Sequence, residues 1–216
     1  MQSNALNPFP IEMFTSHATE EERAIRHKMR TQGIIDLCNL AKNVKAKAII
    51  LMSYIWVVQS DNIYNEASPY TSQPLYNDFV ESEHIFQREL AQGSVSPYIM
   101  RFGLLYGPES FFMKKLADYL HKSKIPTLDG GTNKVSMIHG RLCVFQSLIF
   151  ADYDAASAMV ALAEHLGTAT SRSSDVYHIT DDQPIELGRV LHLLAHQIGA
   201  PEPADYPSWL ASFKLK

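Results

Sequence analysis

The continuous apolar run from Ala48 to Met52 restricts the possible folds of this chain more than any other feature. A strand that is apolar on both faces has to be covered on both faces, as in a parallel sheet flanked by helices. A second strand-like run follows at Pro97–Phe102, with helical patterns before and between the two runs. This order predicts an α/β fold with a mainly parallel sheet.

Helix signals stand on both sides of the first run. Thr19 followed by Glu22 has the spacing of a capping box, so one helix is predicted from Thr19 to Lys42. Its predicted buried stripe consists of Ile34, Leu37, Cys38 and Ala41. Further helices are predicted where apolar residues recur at helical spacing, over 76–92, 109–122, 152–167 and 187–198.

The second half of the chain carries shorter elements. Asp129-Gly130-Gly131 and His139-Gly140 are typical of hairpin turns, so short paired strands are predicted around them. Val176-Tyr-His-Ile179 predicts another short strand. We expect a soft domain boundary near Gly107, where the regular alternation of strand and helix ends.

The charge balance argues against nucleic-acid binding. The chain has 19 basic and 23 acidic residues and a net charge of -4, whereas nucleic-acid binding needs a basic face. No run approaches the roughly 20 apolar residues that span a bilayer, so no membrane partner is expected. A hydrophobic fraction of 46% is ample for a packed core, which favours a globular protein.

The two cysteines and the termini suggest a cytoplasmic setting. Cys38 and Cys143 lie in apolar stretches without CxxC spacing, which favours reduced, buried thiols over a disulfide framework or a zinc knuckle. Residues 1–18 lack the charged start and apolar run of a secretory signal and are interpreted as an extended lead-in. Residues 212–216 are interpreted as a short tail.

Several motifs, each weak alone, occur in an order that resembles a known family. The most specific is Arg101-Phe-Gly-Leu-Leu-Tyr-Gly-Pro108, which is preceded by the strand ending at Ser53. Phe150-Ala-Asp-Tyr-Asp-Ala-Ala156 and Val176-Tyr-His-Ile-Thr-Asp-Asp-Gln-Pro184 follow. In this order they resemble the extended short-chain dehydrogenase/reductase family, in particular its NAD-dependent epimerase/dehydratase group.

The resemblance implies both a fold and an activity. It implies a partial Rossmann-like domain over 19–107, intertwined with a smaller substrate-side α/β portion over 108–211. The implied reaction is hydride transfer between NAD or NADP and a nucleotide-linked sugar, or a related hydroxyl or ketone compound. It also implies a homodimer formed through the helices at 19–42 and 76–92.

The same resemblance assigns roles to individual residues. Tyr76 matches the catalytic tyrosine as proton donor, and Ser53 matches the serine that holds the substrate oxygen. Phe102 and Gly103 match the strand end beside the nicotinamide, although a glycine here also permits a tight strand exit. The substrate-binding positions are Tyr106, Gly107 and Pro108, and Gly-Pro is equally ordinary turn chemistry.

Two departures from the family pattern bear on catalysis. The glycine-rich turn that binds the dinucleotide phosphates is missing, since only Gly33 occurs before Gly93; the N-terminal βαβ units are expected to be absent, through a fragment or a natural truncation. Val80 stands where the lysine of Tyr-x-x-x-Lys is expected. These losses leave a second interpretation open, a non-catalytic binding or assembly module of the same fold.

No metal site is expected. His192 and His196 are four residues apart on a predicted helix, a spacing that can place two ligands on one metal. Leu193 stands where a zinc-protease motif has its glutamate, and the sequence suggests no third ligand nearby. The pair is better explained as solvated histidines beside an apolar stripe.

Overall fold

The computed structural model describes residues 19–59, 65–108, 110–139, 154–168, 175–181 and 183–210. The described residues divide into two compact units, one holding those of 19–103 and 155–179 and the other those of 104–154 and 180–210. The expected lead-in (1–18), the tail (212–216), Cys143, the first two residues of the helix predicted over 152–167 and the turn residue Gly140 lie outside the described residues.

The helices are α1 (Glu20–Arg30), α2 (Gln32–Asn43), α3 (Asn77–Glu89), α4 (Phe111–His121), α5 (Asp154–Thr168) and α6 (Leu187–Ile198). The strands are β1 (Ala48–Tyr54), β2 (Ser96–Phe102), β3 (Leu104–Tyr106), β4 (Thr127–Leu128), β5 (Lys134–Val135), β6 (Met137–His139), β7 (Asp175–Ile179), β8 (Ile185–Glu186) and β9 (Asp205–Tyr206). None of these helices has the length and apolar character needed to cross a membrane.

The predicted helix from Thr19 to Lys42 is in fact two helices. Its start is confirmed, because the Thr19 hydroxyl accepts from the Glu22 amide and the Glu22 carboxylate accepts from the Thr19 amide. The break falls at Thr31, whose hydroxyl donates to the His27 carbonyl at 2.8 Å. Such a bond from a threonine to the preceding turn bends helices, and the sequence pattern did not reveal it.

The first unit is built on a three-stranded sheet in the order β1-β2-β7, with both pairings parallel. This confirms the predicted α/β class with a mainly parallel sheet. The register pairs Ser53 with Arg101 and Tyr54 with Phe102, and Phe102 in turn pairs with Ile179. The carboxyl ends of the three strands therefore lie at one edge.

The core of this unit lies between the sheet and the helices α2 and α3. Its fully buried members are Cys38, Ala41, Phe86, Leu90, Val95 and Ile99. Leu37 was predicted to join the buried stripe of α2, but its side chain is 52% exposed. The helix directs Cys38 and Ala41 inward, and Leu37 falls to one side of that face.

The second unit consists of short strand pairs and two packed helices, α4 and α6. β3 pairs with β6 in parallel, β4 pairs with β9 in parallel, and β5 pairs with β8 in an antiparallel manner. α6 ends, as predicted, at Gly199, which adopts a left-handed conformation with φ 67°.

The hairpin predicted at Asp129–Gly131 is wrong, because the strands on either side of it, β4 and β5, pair with other strands. The segment is a 3-10 turn in which Gly130 has φ 73°. The Asp205 carboxylate holds it by accepting from the Gly130 amide at 2.8 Å and from the Thr127 hydroxyl at 2.7 Å.

Gly131 and Gly188 bring this turn into direct backbone contact with the start of α6. A Cβ atom on Gly131 would lie 2.6 Å from the Gly188 Cα, and one on Gly188 would collide with the Gly130 carbonyl oxygen. The contact thus requires glycine on both sides, since any side chain would force the two backbones apart.

We expect Gly188→Ala to lower the free energy of unfolding by about 1 to 3 kcal/mol, the usual effect of overpacking. The matched control is Gly33→Ala, a helical glycine at which an added Cβ would meet nothing within 4 Å. That change is expected to be neutral or to stabilise by up to about 1 kcal/mol. Urea unfolding of both variants measures the difference, and equal stabilities would contradict the backbone contact.

Candidate functional site

The carboxyl edge of the β1-β2-β7 sheet gathers three of the residues that the sequence singled out. Ser53 and Phe102 lie at or beside the last positions of β1 and β2. Gly103 follows β2 directly, and its amide donates to the Ile179 carbonyl at 3.0 Å. In open parallel sheets ligands bind outside this edge, so it is the natural place to look for a site.

Ser53 carries a buried hydroxyl without a partner. Ser53 is only 4% exposed, and its Oγ atom makes no hydrogen bond to any described group. Leaving such a group unpaired costs about 1 to 3 kcal/mol, so the position is not explained by stability. An unpaired hydroxyl at the ligand-binding edge is a candidate hydrogen-bond partner for a bound molecule.

Tyr76 is the last residue of the 3-10 turn Pro74–Tyr76 and directly precedes α3. It is 9% exposed, and its ring centroid lies 6.2 Å from that of Trp56. The Trp56 ring is nearly parallel to that of Tyr54, with centroids 5.8 Å apart and planes 9° apart. We call these three side chains, Tyr54, Trp56 and Tyr76, the aromatic row.

Val80, which stands in the place of the family lysine, lines a groove between α2 and α3 together with residues that include Gln32, His84 and Arg88. The side of α3 that meets the sheet instead carries Phe79, whose ring packs edge-on against Tyr54 at 5.2 Å, and Glu83, which is fully buried. Neither residue is a cation that lowers the pKa of a neighbouring phenol.

A buried ion pair, which the sequence analysis did not identify as part of a site, lies behind this edge. The Arg101 guanidinium on β2 donates to the Glu83 carboxylate on α3, with Nη2 2.7 Å from Oε2 and Nε 3.1 Å from both oxygens. Their side chains are 3% and 0% exposed. Burial alone would lower the pKa of Arg101, but the bonds to Glu83 more than offset that effect and raise it.

Tyr70 completes the bonding of Glu83 by donating its phenol proton to Oε2 at 3.0 Å. Burial, followed by the negative charge of Glu83, raises the pKa of Tyr70 to about 12. The phenol is therefore a fixed donor at neutral pH. The available signal was Arg101 itself, a charged residue near the end of the largely apolar strand β2, because a buried charge requires a partner.

The loop before α3 is tied to the strand ends through the same arginine. Arg101 Nη1 donates to the Glu66 carbonyl at 3.3 Å and lies 3.4 Å from His178 Nε2. The Glu66 carboxylate accepts from the His178 amide at 3.0 Å, and this bond lowers the pKa of Glu66. Burial is the main reason that the pKa of His178 is lowered.

Tyr106, Gly107 and Pro108, the predicted substrate-binding residues, belong to the second unit. Tyr106 is the last residue of β3, and Gly107 and Pro108 follow it: the Gly107 carbonyl accepts from the Ser110 amide at 3.1 Å, and Gly107 has φ 123°. The Tyr106 ring packs edge-on against His139 at 5.1 Å.

In the described parts of the chain, one group of three potential metal ligands lies close together, at His27, Asp78 and Glu81. Its imidazole and carboxylate already bond to each other at 3.1 Å, and Arg30 lies 3.6 Å from the same aspartate. His192 pairs with Glu202, an arrangement that suits a solvated histidine.

No family model matches the chain, but one curated protein and several solved structures are similar to it. A curated relative, the 3-diazoavenalumate denitrifying reductase of a Streptomyces species, is 26% identical over an alignment of 191 residues that covers 85% of this chain. The chain spans 57% of the length of that reductase.

Two solved structures illustrate the structural likeness. The dTDP-glucose 4,6-dehydratase DesIV from Streptomyces venezuelae, solved with NAD, superposes with a TM-score of 0.61 at 17% identity over 89% of this chain and 59% of its own. The UDP-N-acetylglucosamine 4-epimerase from Methanobrevibacter ruminantium, in complex with UDP-N-acetylmuramic acid, gives 0.62 at 14% identity over 91% and 66%. The chain therefore has the Rossmann-like fold of these two structures, in agreement with the predicted fold class.

The ion pair yields a direct test. We expect Glu83→Gln to lower the free energy of unfolding by about 3 to 5 kcal/mol, because it leaves the Arg101 charge buried without its partner. The control is Glu89→Gln, which removes a carboxylate from exposed contacts to Lys42 at 3.7 Å and Arg88 at 3.3 Å. Its effect is expected to stay within about 0.5 kcal/mol in the same urea titration. Similar losses for both variants would show that Glu83 is not held as described.

Proposed function

We propose that this chain is the substrate-side part of a nicotinamide-dependent oxidoreductase of the epimerase/dehydratase type and that it works in the direction of reduction. The observation that carries the proposal is the buried, unpaired hydroxyl of Ser53 at the carboxyl edge of the parallel sheet. A fold likeness to enzymes solved with NAD supports the same cofactor class.

The direction of reaction follows from the state of the tyrosine. In this proposal Ser53 holds the substrate oxygen and Tyr76 gives it a proton. A tyrosine acts as a base only when a neighbouring cation helps it to lose its proton; without one it can still donate a proton. Oxidation of a hydroxyl group needs the base, which a nearby lysine would create, and Val80 is not a lysine.

In this proposal the chain holds only part of the cofactor. The relatives are longer than the segment that this chain matches, and the rest of the cofactor would be held by residues that correspond to their remaining length. In this chain Phe102 and Gly103 are the proposed contacts for the nicotinamide end of the cofactor. They lie at the carboxyl edge of the sheet, where the backbone and the unpaired Ser53 hydroxyl form the surface. Tyr106, Gly107 and Pro108 are proposed to contact the substrate. The bound nicotinamide would supply the hydride.

We also propose a cytoplasmic location, which suits the free, buried thiol of Cys38.

The names of the similar proteins suggest two classes of substrate, a nucleotide-linked sugar and a diazo compound. The structural neighbours are named for nucleotide-linked sugars, such as dTDP-glucose and UDP-N-acetylglucosamine, and these favour reduction of a sugar ketone. The sequence relative is named as a denitrifying reductase of a diazo compound. When hydride replaces a diazonium group, one C–H bond forms, the C–N bond breaks and N2 leaves with its electrons, so no proton is needed.

Tyr76→Phe separates the two chemistries. For a ketone substrate we expect turnover to fall by about 100-fold or more, the usual effect of losing a general acid. For an arenediazonium substrate we expect the rate to stay unchanged, because the step uses no proton. Tyr206→Phe, an exposed tyrosine in the second unit, is the control.

The assay follows oxidation of NADH and NADPH by absorbance after calorimetry has established which of them binds. Transfer of deuterium from the labelled dihydronicotinamide to product confirms hydride transfer. Failure of every nicotinamide form to bind at millimolar concentration would overturn the oxidoreductase proposal and leave the alternative of a non-catalytic assembly module.

Assembly of two copies through the helices at 19–42 and 76–92 is a further part of the proposal. On α1, Ile25 and Met29 are 52% and 68% exposed, and they stand four residues apart on one face of the helix. On α3, Glu81 and Arg88 line the groove beside α2. An antiparallel pair of α3 helices centred between His84 and Ile85 sets Glu81 of each copy opposite Arg88 of the other, as two-fold symmetry requires.

Charge reversal tests this arrangement. Glu81→Arg is expected to shift the protein to monomer by placing like charges across the symmetric contact, and the added change Arg88→Glu is expected to restore the dimer. Light scattering coupled to size exclusion measures the mass at several concentrations. A wild-type monomer, or a double variant that stays monomeric while the wild type is dimeric, would contradict the pairing.

A further inference from the structure

The His178 imidazole on β7 must be uncharged to make the contact that the structure shows. Its Nε2 atom lies 3.4 Å from Nη1 of Arg101, the residue with which it pairs across β2 and β7. A guanidinium has only donors, so the lone pair in this contact comes from the imidazole. Nε2 therefore carries no proton, and the contact exists only while the ring is neutral and protonated on Nδ1.

Arg101 and His178 together hold the start of the loop before α3. The Glu66 carbonyl accepts from Nη1 of Arg101 at 3.3 Å, and the Glu66 carboxylate accepts from the His178 amide at 3.0 Å. Nη1 thus directs one proton to Glu66 and the other to the His178 ring. Glu66 itself is exposed, so this end of the loop is held by these bonds and not by burial.

Charged groups act on the imidazole from each element packed against it. They are Glu66 in the loop, Arg101 on β2 and Glu83 on α3, and the last two are bonded to each other and shared with Tyr70. Burial has the largest effect and lowers the pKa of His178. The two carboxylates act against burial and Arg101 acts with it, and the net effect is a lowered pKa.

His178 titrates in a range in which its neighbours keep their charge. An unperturbed histidine has a pKa of about 6.5. The pKa of Tyr70 is raised to about 12, that of Arg101 is raised and that of Glu66 is lowered. A fall from about pH 7.5 to about pH 5.5 therefore adds charge to the imidazole and leaves these three groups as they are.

We propose that His178 is a pH-sensitive latch: protonation of its imidazole breaks the contact with Arg101 and releases Glu66 from the carboxyl edge of the sheet. Two cations would then face each other where a hydrogen bond now lies. The imidazolium would also compete with its own backbone amide for the Glu66 carboxylate. The inference does not rest on the proposed reaction, although the latch lies in the same row of the sheet as Ser53, which pairs with Arg101 from the other side.

The direction of the pH effect follows from the lowered pKa of His178. In the released state the ring faces water and takes up a proton below a pH of about 6.5, whereas the closed state resists protonation. Acid therefore favours release as the pH falls through this value. The equilibrium constant for release is expected to rise by about 3- to 10-fold between about pH 7.5 and about pH 5.5.

Native-state hydrogen exchange of the full chain, followed by NMR at these two pH values, measures the release. The reporter is the His178 amide, which donates to the Glu66 carboxylate. The internal reference is the Thr71 amide, which donates to the Val57 carbonyl at 2.8 Å. Relative to the exchange rate of an unstructured peptide at the same pH, the protection of the reporter is expected to fall by about 3- to 10-fold and that of the reference to stay unchanged.

Two variants complete the design. His178→Gln keeps an acceptor for Arg101 that gains no charge in acid, so the protection of the reporter is expected to be the same at both pH values. His192→Gln removes an exposed histidine that pairs with Glu202 in the second unit, and it is expected to retain the full pH effect. Circular dichroism and urea unfolding establish that both variants are folded.

An NMR titration of the His178 ring in the wild-type protein needs no variant and is expected to give a pKa below the ordinary value. The latch is wrong if the ring titrates at or above that value, or if the reporter is equally protected at both pH values. It is also wrong if the pH effect persists in His178→Gln, or if reporter and reference lose protection equally, since that would be a general loosening of the unit.

Discussion

The buried pair of Arg101 and Glu83 determines the arrangement of the first unit. A guanidinium and a carboxylate removed from water are tolerated only when each is paired and fully hydrogen-bonded. Here that requirement joins the central strand β2 to α3 and, through Tyr70 and Glu66, to the loop before α3. These bonds consequently fix the end of β2, the helix α3 and the loop before it relative to one another. The geometry of the carboxyl edge of the sheet depends on this arrangement.

The fold was predictable where local signals and tertiary packing agree. The apolar run that became β1, the capping box at Thr19 and the glycine after α6 each specify a local structure that the rest of the chain reinforces. Prediction failed where a side chain acts on the backbone or where partners are distant in sequence. The Thr31 hydroxyl divides a continuous helical pattern, and the Asp129–Gly131 turn serves strands whose partners lie near 185 and 205.

The site could be predicted in part for a simple topological reason. Parallel strands end at the same edge, so Ser53 and Phe102 were placed near each other once their strands were recognised. The helical phase of α3 was harder to read. Val80, four residues after Tyr76, lies in the groove with α2, whereas Phe79 lies toward the sheet. A shift of one residue along α3 therefore decides whether a side chain faces the candidate site or the groove. The aromatic row was invisible because Trp56 belongs to a short turn that carries no periodic pattern.

The first unit is discontinuous in the chain, since its third strand, β7, lies beyond most of the second unit. The contacts of β1 with β2 are closer in sequence than those of β2 with β7, and the entropy of closing a loop grows with its length. Parallel pairing over such a separation is intrinsically slow. During synthesis β1, α3 and β2 can associate long before β7 has left the ribosome, so the last strand completes a preformed surface. The Arg101–His178 contact is then a late event in folding, and the loop that carries Glu66 gains its final anchor only when the sheet closes.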